Sequence, residues 1–99
     1  MQERPPRWHA RFMVRVEAPT GGFTATIVNI SAQGAQLLGI PVDTLQPFEW
    51  LSLSAAGIGI WAQVRWVRFD TCGLLFEREL TERELDLARR TAERGRARA

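Results

Sequence analysis

Hydrophobic and polar residues alternate along most of this 99-residue chain with a period of two, the period that sends successive side chains to opposite faces of a β-strand. The pattern is clearest over residues 58–67, where Ile58, Ile60, Ala62, Val64 and Trp66 alternate with Gly59, Trp61, Gln63, Arg65 and Val67. The first set, Trp66 included, is assigned to a core, and Trp61 to the opposite, partly exposed face. Residues 12–16 and 23–30 predict two strands joined by a hairpin at Thr20-Gly21-Gly22, and residues 34–38 a short third. After a loop punctuated by Pro41 and Pro47, residues 48–53 predict a fourth strand, with Phe48, Trp50 and Ser52 on one side and Glu49, Leu51 and Leu53 on the other. The sixth, residues 73–77, follows a turn region at 68–72. Several short strands with no helical pattern between them imply an antiparallel barrel or sandwich.

Residues 80–94 break that rhythm. Thr81-Glu-Arg-Glu84 reads as a capping box, Leu80 and Leu85 as a hydrophobic staple, and Leu85, Ala88 and Ala92 share one helical face. Acids in the first turn and arginines in the last complement the helix dipole. Upstream, residues 1–11 are expected to form a flexible arm, because Pro5 and Pro6 lack an N–H and hold the chain extended. The organisation expected is one domain: arm 1–11, barrel 12–79, helix 80–94 and a basic tail 95–99.

Composition narrows the picture. At this length one core must serve the whole chain. No apolar stretch approaches the roughly 18 residues of a membrane span, and the N-terminal MQERPPRWHARF lacks the apolar centre of a secretory signal, so a cytoplasmic protein is expected. The single cysteine, Cys72, fits a reducing compartment and a structural role. All thirteen basic residues are arginine, the mark of a coding bias, and the net charge is only +2, too little for a strong field on polynucleotides.

For catalysis the chain is poor. Its one histidine, His9, has no partner at triad or zinc-ligand spacing, no phosphate-binding glycine loop opens a helix, and Glu82 and Glu84 are accounted for by capping. A non-enzyme with neither metal nor cofactor is expected. Arg7 and Arg11 form an R-x-x-x-R pair, a spacing that chance supplies about 1.6 times in such a chain and that occurs four times here, so only its place at the entrance to the first strand gives it weight. Asn29-Ile-Ser31-Ala-Gln-Gly34 is rarer, with a chance occurrence of about 1% per chain. It sits between two strands, where Asn29 and Ser31 would share a face and Gly34 would permit a turn or a ligand's close approach. A polar β-turn, with Asn and Ser bonding their own backbone, accounts for the same residues.

Taken together, Arg7 and Arg11, then Asn29-x-Ser31-x-x-Gly34, then Val64-Arg-Trp66 and Gly73-Leu-Leu-Phe76 resemble the PilZ domain family over residues 7–87. The resemblance implies a mainly β, six-stranded antiparallel barrel with a C-terminal helix, and binding of cyclic di-GMP. Carried over by position, it implies that Arg7 and Arg11 grip phosphates and guanine, and that Asn29, Ser31 and Gly34 hold a guanine edge. Asn29 stands where the family more often has Asp, which brings a donor and loses a charge. Trp8, between the arginines, is read as packing over the barrel mouth. The expected function is a bacterial receptor-adaptor, monomer or weak homodimer, whose arm orders on ligand and which signals through a partner protein in motility or biofilm control. An interaction module without nucleotide binding is the alternative, and a small nucleic-acid-binding barrel a third.

Overall fold

In the computed structural model, which describes the backbone of residues 8–97 and the side chains of residues 10–94, the alternating segments become β1 (Trp8–Ala18), β2 (Gly21–Ile30), β3 (Gly34–Leu38), β4 (Trp50–Ala55), β5 (Ile58–Arg68) and β6 (Thr71–Phe76), followed by α1 (Glu82–Ala97). All paired strands are antiparallel in the order β1-β2-β3-β6-β5-β4, and the barrel closes where Val16 of β1 lies opposite Leu53 of β4. Closure pairs every strand on both sides and removes the open edge that would otherwise recruit another chain. The mainly β barrel with a C-terminal helix is therefore the fold.

The period of two becomes inside against outside. Leu51, Leu53, Ile60, Ala62 and Val64 are buried in the barrel, while Trp50 and Trp61 are half-exposed on its surface. Trp66 departs from the core position its spacing predicts. The pairing of β5 with β6 slips between Val64 and Trp66, and this bulge resets the alternation. Trp66 is consequently 42% exposed, and Val67 packs against the core instead.

Several boundaries differ from expectation, β2 and β6 each starting two residues early at Gly21 and Thr71, and three of the differences have a clear structural setting. Strand β1 begins at Trp8, opposite Ile30, so residues 8–11 belong to the strand and not to an arm; Trp8 and His9 pair with β2, and residues 10–11 span the slip that follows. Strand β4 begins at Trp50 because Phe48 has φ 72°, a left-handed conformation no strand accommodates. Helix α1 runs through Ala97, three residues past the predicted end. Residues 1–7 and 98–99, including most of the expected arm and the end of the tail, lie outside the described residues.

Cys72 is fully buried in β6, and burial pushes its thiol up to about 12, against a smaller opposing effect of a hydrogen bond with the Leu37 backbone. Since the thiolate is the reactive form, Cys72 should resist a disulfide-exchange reagent at pH 8 until denaturant is added. Rapid labelling of the folded protein would contradict that placement.

Helix α1 starts with the reciprocal cap its sequence predicts. The Glu84 N–H donates to Thr81 Oγ1 at 3.1 Å, and the Thr81 N–H donates to Glu84 Oε1 at 2.9 Å. Arg78 lays both guanidinium nitrogens on the Glu84 carboxylate, each at 2.8 Å. Those bonds, Arg78's first and the Thr81 amide's second, pull the Glu84 carboxyl down to about 2. A depressed carboxylate stabilises the folded state above its unfolded pKa, about 4.3, and that contribution disappears as pH falls through the folded value. Protection of the amides in the first turn of α1, taken relative to their intrinsic exchange rates at each pH, should therefore fall between about pH 4.3 and 2, and Glu84→Gln should abolish the acid step. A step unchanged in that variant would contradict the assignment.

Candidate functional site

The rarest motif in the chain forms the connection between β2 and β3. Ser31 is 2% exposed, and its hydroxyl accepts the N–H groups of Gln33 at 3.3 Å and Gly34 at 3.2 Å, while its own N–H donates to the Gly34 carbonyl at 2.9 Å. Asn29 and Ser31 do not share an open face, because β2 ends at Ile30 and strand alternation ends with it. Gly34 has no left-handed φ to explain it. A Cβ at that position would collide with the Leu74 carbonyl oxygen, so the glycine lets β3 and β6 approach. Ser31 and Gly34 thus hold the shape of the turn.

Asn29 faces outward from β2, where its Nδ2 donates to Gln36 Oε1 of β3 at 2.7 Å. The two belong to a row that crosses five strands. His9 lies opposite Asn29, Asn29 opposite Gln36, Gln36 opposite Gly73, and Gly73 opposite Trp66. Gly73 makes the far end flat, since a Cβ there would strike the Trp66 indole, which rests against the glycine. Arg11 falls on β1 in the interval between the His9–Asn29 and Phe12–Ile27 pairs, exposed between buried Ala10 and Phe12. It forms no hydrogen bond or ion pair with another described residue.

Three slips in pairing surround this row: 9 to 12 in β1, 27 to 29 in β2 and 64 to 66 in β5. Bulges re-aim side chains at sites, and here the slip in β5 turns Trp66 outward, while Arg11 is outward by the plain alternation of Ala10, Phe12 and Val14. The result is a shelf with a guanidinium at one end, an amide pair in the middle and an indole face at the other. Such a surface suits a planar, polar, anionic ligand: the ring system stacks, the amides meet its edge, and the guanidinium meets its phosphate. Among the described residues, no group of three or more His, Cys, Asp or Glu side chains is placed to hold a metal.

A family-wide sequence model for the PilZ domain matches residues 2–94. The chain belongs to the PilZ domain family. Two solved structures share the fold of this PilZ domain. The inhibitor of motility MotI/DgrA of Bacillus subtilis superposes with a TM-score of 0.68 at 18% identity, over 98% of this chain and 53% of its own. The PilZ domain of CeSA from a cellulose-synthesizing bacterium superposes with a TM-score of 0.64 at 14% identity, over 91% of this chain and 98% of its own. The chain thus spans about half the length of MotI/DgrA. No curated protein matches it in sequence.

PilZ domains are receptor and adaptor modules for cyclic di-GMP, and the family is not a catalytic one. Among the residues singled out by sequence, Arg11 and Asn29 lie along the shelf, Ser31 and Gly34 lie in the turn at its edge, and Arg7 lies outside the described residues. Gln36, Gly73 and Trp66 complete the shelf and were not among the predicted site residues. Alternation within residues 34–38 marks Gln36 as outward, but its place beside Asn29 follows only from cross-strand register. Trp66 was hidden by its bulge, and with it the reason for Gly73.

Proposed function

We propose that this PilZ domain binds cyclic di-GMP on the shelf and passes the occupied state to a partner protein. The observation that carries the proposal is the row itself: an exposed Arg11, the Asn29–Gln36 amide pair and the Trp66 indole lie along one face beside the family's motif turn. Guanine has a hydrogen-bonding edge for the amides and a π-face for the indole, and the cyclic diester offers anionic oxygens to Arg11 and Arg7. Two charge-assisted contacts and a few neutral ones, after ordering costs, reach about −8 kcal/mol, or micromolar affinity. MotI/DgrA is described as an inhibitor of motility, and a partner in motility or surface-attachment machinery is the corresponding proposal here.

A nitrogen-15 titration locates the site. Adding cyclic di-GMP should shift the Trp66 indole N–H, the side-chain amides of Asn29 and Gln36 and the Gly73 amide, and leave the turn at 69–70 unmoved. Shifts confined to other residues would relocate the site.

A second reading, an interaction module that takes no nucleotide, draws on the half-exposed Trp50, Trp61 and Leu75 on the outer face of β4, β5 and β6. On that reading Ser31 and Gly34 persist only because they shape the turn. Partner binding indifferent to cyclic di-GMP would favour it.

A further inference from the structure

The turn at 31–34 is bonded to the linker that launches α1. The Ala32 carbonyl accepts the Leu80 N–H at 2.8 Å, the Gln33 carbonyl accepts the Phe76 N–H at 2.8 Å, and Gln33 Nε2 donates to Glu79 Oε1 at 3.2 Å. On its other side the linker is locked to the helix. Arg78 holds Glu84 at 2.8 Å, and Thr81 and Glu84 cap one another. A chain of short polar contacts therefore runs without a gap from Ser31 to the first turn of α1.

The rest of α1 is held less firmly. Its buried face offers Leu85, Ala88 and Ala92, and alanines bring little apolar area to the barrel mouth. Between helix and barrel lies a small, half-open apolar cleft of about 30 Å³, lined by Phe12, Ile30, Ile58, Phe76, Leu80 and Ala88. Even a small gap forfeits some of the packing contacts that would pin a helix in place. Leu80 belongs to both parts: its N–H is bonded to the turn, and its side chain lines the cleft.

We propose that the 31–34 turn and helix α1 form one mechanical unit, in which the shape of the turn sets the seating of the helix over the barrel mouth. Ser31 and Gln33 are its positioning residues: Ser31 shapes the turn through the Gln33 and Gly34 amides, and Gln33 joins it to the linker. The coupling does not depend on which ligand the shelf takes. By reciprocity, a change in the seating of α1 alters the turn to the same degree.

Amide exchange of the ligand-free protein tests this in both directions. Ser31→Ala should speed exchange at Leu80 and across residues 85–92 by at least about fivefold more than at residues 37–38 and 71–72, the paired ends of β3 and β6 that do not line the cleft. Conversely, Ala88→Arg, which unseats the helix without touching the turn, should speed exchange at Ser31 and Gly34 by a similar excess. A uniform rise at every amide would mean global destabilisation and overturn the proposal. So would a response confined to the element that carries the substitution.

Discussion

Replacing Gly34 with alanine should remove a large share of the barrel's stability. The added methyl would meet the Leu74 carbonyl oxygen, a backbone atom that no side-chain rotation can move aside. Relief requires β3 and β6 to separate where Gly34 lies opposite Leu75 and Ala35 opposite Leu74, breaking the ladder that joins the two halves of the barrel. Overpacking of this kind costs about 3 kcal/mol or more, a large share of the 5–15 kcal/mol typical of a whole domain. In a domain of this size each kcal/mol shifts Tm by about 4–8 °C, so a thermal melt should fall by at least about 12 °C, or show no cooperative transition. A variant melting within about 3 °C of the parent would show that the collision relaxes easily and that Gly34 serves another purpose.

Arg11→Ala should have the opposite profile, intact folding with lost ligand affinity. Arg11 is exposed and makes no hydrogen bond or ion pair with another described residue, so its removal should change stability by less than about 0.5 kcal/mol. A bidentate contact between guanidinium and phosphate is worth roughly 2–3 kcal/mol, so cyclic di-GMP affinity should weaken about 30- to 150-fold. Arg11→Lys should recover only part of that loss, because an ammonium offers neither the planar fork nor a stacking face. Unchanged affinity in Arg11→Ala would remove Arg11 from the site. A drop in Tm matching the drop in affinity would assign it a structural role.

Much of this was legible in the sequence, for physical reasons that also explain the exceptions. Strand β5 was readable through Val64 because one face is buried and the other wet, and burial enforces the period. It became unreadable at Trp66 because a bulge adds a residue without leaving a compositional mark, so the indole expected inside lies outside. The helix start was readable because capping is local chemistry, confined to Thr81, Glu84 and their neighbours. The Arg78 bond to Glu84 and the turn's bonds to Phe76 and Leu80 were not, since they depend on the path of the linker past β2 and β3. In the candidate site, motif spacing found Arg11 and Asn29. Gln36 and Gly73 join them only through cross-strand register, which a single sequence does not display. Ser31 and Gly34, two residues of the same motif, act on the backbone around them: the first bonds the turn's amides and the second admits the Leu74 carbonyl.

Nucleotide recognition on the shelf is tested most directly by calorimetric titration of the purified protein with cyclic di-GMP, with GTP and cyclic GMP as competitors. Binding at micromolar concentration or tighter, selective for cyclic di-GMP and lost in Arg7→Ala and Arg11→Ala, is the predicted result. No heat at high micromolar ligand, with the protein shown to be folded, would contradict the claim and leave a PilZ domain that acts by protein contact alone.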